Sequence, residues 1–186
     1  TKTITTGEGG MVVTNDKELR DRMLLCINHG MLRKTYYWHE IAGHNFRLTN
    51  LQAALGCAQL EHLDEITKER RRVHTTYKSF LNNEDGIKLQ KFGTDVEPVL
   101  WAFTAMLDPK AFPQGRDAVI EQMKGKQIET RPGFYPPTLM KQLYNSGPLP
   151  VCEEIGMNVI SLPTFSSLSN EQIGYICESL INLKIQ

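Results

Sequence analysis

Residues 49–81, TNLQAALGCAQLEHLDEITKERRRVHTTYKSFL, carry the pattern that decides the predicted fold. Apolar residues recur at roughly helical spacing and Thr49 is a suitable N-cap, so one long helix is predicted. Its first half is apolar nearly all round, as in a helix buried between layers, and its second half is amphipathic and highly charged. Because such a helix passes between two packing environments, we place a domain boundary near His62–Lys68.

Upstream of this helix, GGMVVT at residues 9–14 predicts a short buried strand entered through glycines. The apolar spacing in the next segment predicts a helix from about Lys17 to Asn28, with Gly30 as its stop. Residues 31–48 are irregular and rich in aromatic and histidine side chains. Long loops of this kind often carry function.

Downstream, strand and helix patterns alternate and predict a small α+β domain with non-sequential strand pairing and helices covering one face. Ser169 is the predicted N-cap of the last helix. The predicted elements are strands at Pro98–Leu107, Gln127–Arg131 and Asn158–Leu162, and helices at Gly115–Lys124, Leu139–Tyr144, Val151–Met157 and after Ser169.

Composition narrows the class of protein. Among 186 residues, Lys+Arg and Asp+Glu both number 21, which argues against a nucleic-acid partner or an anionic membrane. No apolar run approaches the roughly 20 residues that span a bilayer.

The cysteines form no CxxC pair and predict reduced, buried thiols of a cytoplasmic protein; they are Cys26, Cys57, Cys152 and Cys177. A start without methionine suggests a fragment or a processed product.

Two further patterns indicate structural residues rather than a metal site or an anion-binding site. The histidines at 29, 39 and 44 match no metal-ligand spacing, so no metal is expected. The basic run Lys68–Arg72 is predicted to be a solvated helix face rather than an anion site, and His62 and His74 are predicted to be helix-surface residues.

The whole chain resembles the DegT/DnrJ/EryC1/StrS family of sugar aminotransferases, in particular its perosamine-synthase-like branch. The resemblance rests on four segments in one order: TKTITTGEGGMVVTND (1–16), HNFRLTNLQAALGCAQLEHLDEI (44–66), IETRPGFYPPTLMKQLY (128–144) and NVISLPTFSSLSNEQIGYICESL (158–180). It implies the C-terminal half of a fold-type-I enzyme that depends on pyridoxal 5'-phosphate (PLP). Residues 1–62 would end the large α/β domain, and residues 63–186 would form the small C-terminal α+β domain.

The resemblance implies that Lys2 is the catalytic lysine that binds the cofactor. A lysine amine can condense with the PLP aldehyde and, once released, can move a proton between substrate and cofactor. Taken alone, a lysine near a chain start would be read as an ordinary exposed residue. A related dehydratase branch has histidine at this position, so Lys2 favours transamination.

The resemblance also implies that Asn45 reaches the cofactor phosphate of a second subunit, where an uncharged amide can donate hydrogen bonds. Arg47 is a candidate for the same phosphate. The alternatives are that Asn45 shapes the turn before the helix and that Arg47 forms a structural salt bridge.

The candidate substrate-binding residues are His39, Arg131 and Tyr135. Arg131 and Tyr135 lie in ETRPGFYPP, which in similar enzymes lines the sugar-nucleotide site, and the planar guanidinium suits a diphosphate. His39 resembles a position near the active site. Thr138 departs from the pattern, since relatives often have histidine there. A purely structural role is the alternative for Arg131 and Tyr135.

The implied reaction transfers an amino group, usually from glutamate, to a keto carbon of a nucleotide-linked deoxysugar, in a homodimer with shared active sites. The family's other cofactor contacts lie upstream of Lys2. We therefore expect these 186 residues alone neither to hold PLP tightly nor to turn over. The alternatives are a dehydratase, a non-catalytic or regulatory sugar-nucleotide-binding relative, and an inactive truncated fragment.

Overall fold

The computed structural model describes residues 2–31, 35–142, 144–145 and 147–185. These residues form two compact units, Lys2–Leu63 and Asp64–Gln186. Parts of the predicted loop 31–48 and of the predicted helix Leu139–Tyr144, and the ends of the two predicted domains at Thr1 and Gln186, lie outside the described residues.

Local capping signals begin both helices of the first unit. Helix α1 spans Lys17–Ile27, with the Asp16 side chain accepting hydrogen bonds from the first-turn backbone, so the helix predicted there is confirmed. Helix α2 spans Asn50–Glu61 and begins with a reciprocal capping box between Thr49 and Gln52. The N-cap predicted at Thr49 is therefore confirmed.

The prediction of one continuous helix over residues 49–81 was wrong. Helix α2 ends at Glu61, and helix α3 spans Leu63–Leu81. Between them His62 adopts φ −102° and ψ 13°, and its backbone N–H bonds to Leu60 O, so the regular hydrogen-bond ladder stops. The apolar spacing continues across this break, which is why the sequence did not reveal it.

The apolar parts of the first unit are exposed, contrary to prediction. Residues 9–14 form no strand, and the exposed fractions of Met11 and Val13 are 79% and 83%. Helix α2 has no buried residue, and among the described residues of this unit only Gly30 is buried. A strand needs a neighbouring strand for its backbone groups, and the described part of this unit supplies none to residues 9–14.

The second unit continues after α3 with four strands and three helices. They are β1 Ile87–Leu89, β2 Phe103–Leu107, α4 Arg116–Gly125, β3 Arg131–Pro132, α5 Pro150–Asn158, β4 Val159–Leu162 and α6 Asn170–Ile181. The strands form an antiparallel sheet in the order β1-β2-β4-β3, so the non-sequential pairing is confirmed. Helices α4 to α6 agree with prediction within two residues, and Ser169 caps α6 as predicted.

Four elements differ from the predictions for this unit. The strand predicted at Pro98–Leu107 begins only at Phe103, as β2. Strand β1 was missed, and the strand predicted at Gln127–Arg131 is reduced to β3, which shares only Arg131 with it. In place of the helix predicted at Leu139–Tyr144, the chain forms a 3-10 turn at Pro137–Leu139.

One hydrophobic core organises the second unit. Alternate residues of β2, among them Phe103 and Leu107, are buried and pack with side chains from α3, α4 and α6. Tyr77 of α3 is fully buried, stacks on Phe103 with ring centroids 4.6 Å apart, and donates a hydrogen bond to Pro163 O at 2.8 Å. The sheet and α3 are thereby joined at one aromatic contact.

The basic run of α3 is not simply a solvated face. Arg70 is 7% exposed and donates to the carbonyl oxygens of Leu100 (3.3 Å) and Trp101 (3.1 Å). Arg72 donates to backbone carbonyls of the segment before α6, Ser166 O at 3.2 Å among them. The prediction was wrong for Arg70, because its guanidinium is buried and donates to backbone carbonyls some thirty residues away.

His74 is also buried, although a helix-surface position was predicted. Its ring meets the Phe103 ring edge-on, with the centroids 5.3 Å apart. Burial, and then the positive charges of Arg70 and Lys78, lower the pKa of His74 from 6.5 to about 4. The fold therefore favours the neutral imidazole.

This lowered pKa predicts acid sensitivity. Above pH 6.5 the imidazole is neutral in both the folded and the unfolded state, so its contribution to stability is constant there. As the pH falls from 6.5 towards 4, the unfolded chain binds the proton first and stability should fall, by up to about 1.4 kcal/mol per pH unit. Denaturant unfolding of wild type and His74→Gln across this range should show a difference that shrinks on acidification, whereas His62→Gln should track wild type. A constant difference would contradict the assignment.

The thiols are less buried than predicted. Cys177 is buried, Cys26 and Cys152 are partly buried, and Cys57 is exposed, so the prediction of buried thiols holds fully only for Cys177. All four are free. Among the described helices, none combines the length and the apolar character required to span a membrane.

Candidate functional site

Lys2 lies at the exposed surface of the first unit, on a segment that α2 holds in place. The Thr5 backbone N–H donates to Gln59 Oε1 at 3.3 Å, and Gln52 Nε2 donates to Glu8 O at 3.1 Å. Two glutamine side chains of one helix thus bind the backbone that follows Lys2. This anchoring limits where the lysine amine can reach.

Two glycines let the same segment approach its neighbours closely. A Cβ atom at Gly56 of α2 would lie 3.0 Å from Thr6 Cγ2. A Cβ atom at Gly9 would lie 2.8 Å from Thr6 Oγ1 and 2.9 Å from Leu48 Cδ1, and Gly9 has φ 142°, which side-chain-bearing residues rarely adopt. The glycine-rich turn therefore has a packing role at Gly9.

The anchoring face of α2 was not predicted from the sequence. Gln52, Gly56 and Gln59 are spaced four and three residues apart, so they lie on one face of the helix. Two polar residues and a glycine at this spacing, in a helix that is otherwise apolar, were the available signal.

Asn45 is held at the C-terminal end of α1. It forms an antiparallel bridge with Asn28, and the next residue, Phe46, donates its backbone N–H to Ile27 O at 3.1 Å. These backbone contacts fix the position of an exposed side chain that has no buried packing of its own.

Asn45 and Arg47 form a pair of hydrogen-bond donors. Arg47 Nε donates to Asn45 Oδ1 at 3.2 Å, and both side chains are exposed. Because the amide oxygen already accepts this bond, the amide NH2 group is the part of Asn45 that remains to donate. An amide and a guanidinium side by side suit a phosphate, so the residues present fit the phosphate group of PLP.

His39 connects the same loop to the end of α1. Its Nδ1 lies 2.7 Å from His29 O, and this distance requires Nδ1 to carry the proton and donate. His39 also bridges with Met31. Both histidines line a shallow cavity of about 520 Å³ together with residues 40–43. No cluster of metal-ligating side chains occurs in the described part of the chain.

Arg131 and Tyr135 lie in the second unit, at the Pro-rich loop. Arg131 begins β3 opposite Ser161 of β4, and its side chain is 70% exposed and pairs with Glu129 at 2.9 Å. Such an exposed ion pair stabilises little, so a ligand can replace it at low cost. Tyr135 is 49% exposed, and the Arg116 guanidinium carbon lies 5.5 Å from its ring centroid.

A cavity of about 2020 Å³ opens beside this loop. Arg131 and Phe134 line it, and Tyr135 lies outside the lining. Phe134 is 84% exposed and stacks nearly parallel on Trp101, with ring centroids 6.3 Å apart and planes at 15°. The lining combines apolar side chains with polar and charged ones, Glu129 and Gln172 among them.

Within each unit the structure groups some of the predicted residues. Asn45 and Arg47 contact each other, and His39 lies in the same loop. In the second unit, Arg131 and Tyr135 flank Phe134 in one short loop.

Comparison with known proteins shows which family the whole chain matches. The sequence pattern of the "DegT/DnrJ/EryC1/StrS aminotransferase family" matches residues 1–181. GDP-perosamine synthase of Escherichia coli O157:H7 is 42% identical over 182 residues, which are 96% of this chain and 48% of that protein. The chain spans about half the length of the curated relatives it matches.

A solved structure and a further relative extend the comparison. Helicobacter pylori PseC, an aminotransferase involved in the biosynthesis of pseudoaminic acid, superposes with a TM-score of 0.83 at 29% identity, over 98% of this chain and 50% of that one. A pleiotropic regulatory protein of Geobacillus stearothermophilus is 31% identical over 94% of this chain and 46% of its own length.

Proposed function

The chain belongs to the DegT/DnrJ/EryC1/StrS aminotransferase family, and on that premise we propose that it is part of a PLP-dependent nucleotide-sugar aminotransferase. The predicted fold class, that of fold-type-I PLP-dependent transferases, is confirmed by the likeness to solved sugar aminotransferases. The proposed reaction moves an amino group from glutamate to a keto carbon of a nucleotide-linked deoxysugar. The observation that carries the proposal is the family match that begins at the segment containing Lys2.

Three residues of the first unit would hold the cofactor. Lys2 would bind it covalently and, when released, move the proton between the reacting carbons. Asn45 and Arg47 would donate hydrogen bonds to the phosphate of the cofactor bound by the other subunit, which their paired arrangement supports. When bound, PLP supplies the electron sink that makes removal of that proton possible.

Arg131, Tyr135 and His39 are the proposed substrate-binding residues. Arg131 is exposed and has only a surface ion pair to exchange, so it can bind the diphosphate. Tyr135 and His39 would contact the sugar nucleotide. We propose a GDP-linked 4-keto-6-deoxyhexose as the substrate, and the name of the Escherichia coli relative, GDP-perosamine synthase, supports the GDP part of this proposal.

We place the reaction in a cytoplasmic homodimer in which Asn45 reaches the cofactor of the other subunit. The first compact unit would end the large domain, and the second would be the small domain. Because the chain spans about half the length of its relatives and leaves α2 exposed, we expect these 186 residues alone neither to hold PLP tightly nor to turn over. Tight stoichiometric binding of PLP by the chain alone would contradict this expectation.

Borohydride trapping of the intact protein that contains this chain tests the proposal. Reduction converts the bond between the cofactor aldehyde and a lysine amine into a stable secondary amine, which peptide mass mapping can locate. We expect the label on Lys2. A folded protein supplied with PLP that acquires no label at any lysine would refute the aminotransferase function.

A regulatory, non-catalytic sugar-nucleotide-binding role is the second candidate. The name of the Geobacillus stearothermophilus relative favours it. A regulator would not need the lysine amine, so replacing Lys2 would leave sugar-nucleotide binding and regulation intact. An aminotransferase would retain sugar-nucleotide binding and lose turnover.

A further inference from the structure

A buried arginine lies beside the Pro-rich loop. Arg116 begins α4, and its side chain is 1% exposed. Its Nε donates to Asp117 Oδ1 at 2.8 Å, and its Nη1 donates to the carbonyl oxygen of Gly156 in α5. Burying a guanidinium costs free energy unless its N–H groups find hydrogen-bond acceptors, so packing alone does not explain the burial of Arg116.

The ring of Tyr135 supplies the contact between Arg116 and the loop. The guanidinium carbon lies 5.5 Å from the ring centroid, within the range of a cation–π interaction. Nη2 of Arg116 is buried and has no hydrogen-bond partner. The aromatic face of Tyr135 is therefore a favourable neighbour for a charge that is otherwise incompletely satisfied.

Gly156 brings α5 into the same junction. A Cβ atom there would lie 2.7 Å from Pro136 Cδ and 3.0 Å from Phe134 O, so only glycine lets the loop rest on α5 in this way. Pro136 is fully buried. The carbonyl oxygen of Gly156 thus accepts a hydrogen bond from Arg116. Because Gly156 has no side chain, the loop can also pack directly against its backbone.

The loop is also fixed on its other side, next to β3. Gly133 donates its N–H to Val159 O at 2.8 Å, and a Cβ atom at Gly133 would lie 3.0 Å from Val159 Cγ1. Between these fixed points Phe134 remains 84% exposed, and the Arg131 side chain remains 70% exposed. The loop has a fixed inner side and an accessible outer side.

We propose that Arg116 is a positioning residue for the substrate-binding loop. It acts on the Tyr135 ring directly and on the loop backbone through Gly156, without touching substrate itself. The assignment of a substrate-binding role to the loop rests on the proposed function, whereas the positioning of the loop does not.

Chymotrypsin cleavage of the intact protein that contains this chain, without any ligand, tests the positioning. Cleavage after Phe134 reports loop opening, and cleavage after the buried residues Phe103 and Tyr77 reports global unfolding of the unit. Arg116→Met should increase cleavage at Phe134 about tenfold or more relative to the two buried sites, the factor expected for a lost hydrogen bond to a charged group. Arg116→Lys should restore part of the protection, because it keeps one charged donor.

Matched variants separate the contacts. Gly156→Ala should also open the loop, since its methyl group displaces Pro136, whereas Gly125→Ala in α4 should not, because nothing lies within 4 Å of its Cβ position. Asp117→Asn should resemble wild type, since the Asp117 side chain is 73% exposed. Equal acceleration at Phe134, Phe103 and Tyr77 in Arg116→Met, or none at Phe134, would overturn the proposal.

In the intact protein the same substitution should affect substrate binding. Arg116→Met should raise KM for the nucleotide sugar about tenfold while kcat changes less, because the chemical groups at Lys2 are untouched. With GDP-mannose as a binding probe, the dissociation constant should rise in parallel. If the loop opens but wild type binds no nucleotide sugar, the proposed function fails and the positioning stands. If the loop opens and binding is unchanged, the link from Arg116 to substrate is refuted.

Discussion

Replacing Lys2 with alanine is expected to abolish transamination by the intact protein. The amine would serve both as the point of cofactor attachment and as the group that moves the proton, and loss of proton transfer alone lowers turnover by roughly 10²–10⁴-fold. Conversion of a nucleotide-linked keto sugar in the presence of glutamate, followed by mass spectrometry, measures the loss. Borohydride should no longer label the peptide that contains residue 2.

Two variants control for charge and for surface substitution. Lys2→Arg keeps the positive charge but removes the amine that condenses with an aldehyde, so it should be as inactive as the alanine variant. Lys17→Ala removes another exposed lysine, in α1, and should retain wild-type activity. Full activity in Lys2→Arg would show that the residue acts only as a charge and that our assignment of its chemistry is wrong.

Tyr77→Ala is expected to have the largest effect on the stability of the second unit. Tyr77 is fully buried, stacks on Phe103 and donates its hydroxyl to Pro163 O. Truncating a buried aromatic residue leaves a cavity and typically costs about 3–5 kcal/mol in the free energy of unfolding. Denaturant unfolding followed by circular dichroism measures this change.

Tyr175 provides the matched control. Its hydroxyl also donates to a backbone carbonyl, Lys126 O at 3.2 Å, but the residue is 53% exposed. Tyr175→Ala should therefore cost much less than Tyr77→Ala. Tyr77→Phe keeps the ring and loses one buried hydrogen bond, so about 1–3 kcal/mol is expected. Equal losses for the two alanine variants would contradict the burial-based argument.

Helix starts were predictable from the sequence because capping is local. Thr49 and Ser169 each bond to backbone or side chains no more than three residues away, so the pattern of letters contains the whole interaction. The non-sequential pairing in the second unit was also predicted. Strand ends were less predictable, since the extent of β3 depends on its partner β4.

Side-chain environments were harder to predict because they depend on distant residues. Arg70 and His74 look like surface residues of a charged helix, but Arg70 finds its acceptors at Leu100 and Trp101, some thirty residues away. His74 is buried against Phe103. The sequence does not indicate a special role for Arg116, because no neighbouring residue in the chain shows that its side chain contacts Gly156 and Tyr135.

Some features of the candidate site were also predictable from the sequence, whereas others appear only in the structure. The four family segments were recognisable from the sequence alone, and the family match over residues 1–181 confirms the family. The roles of the candidate residues stay predictions. The donor pair of Asn45 and Arg47, and the anchoring of the Lys2 segment on α2, appear only in the structure.

The sequence by itself determined the family, the fold class and the local starts of the helices, because these depend on residue types at short or fixed spacing. Only the tertiary structure decided the break at His62, the burial of Arg70, His74 and Arg116, and the exposure of α2. The physical reason is that burial and hydrogen-bond satisfaction depend on which segments meet in space. An apolar helix such as α2 has the composition of a buried element, but it is buried only where another surface packs against it.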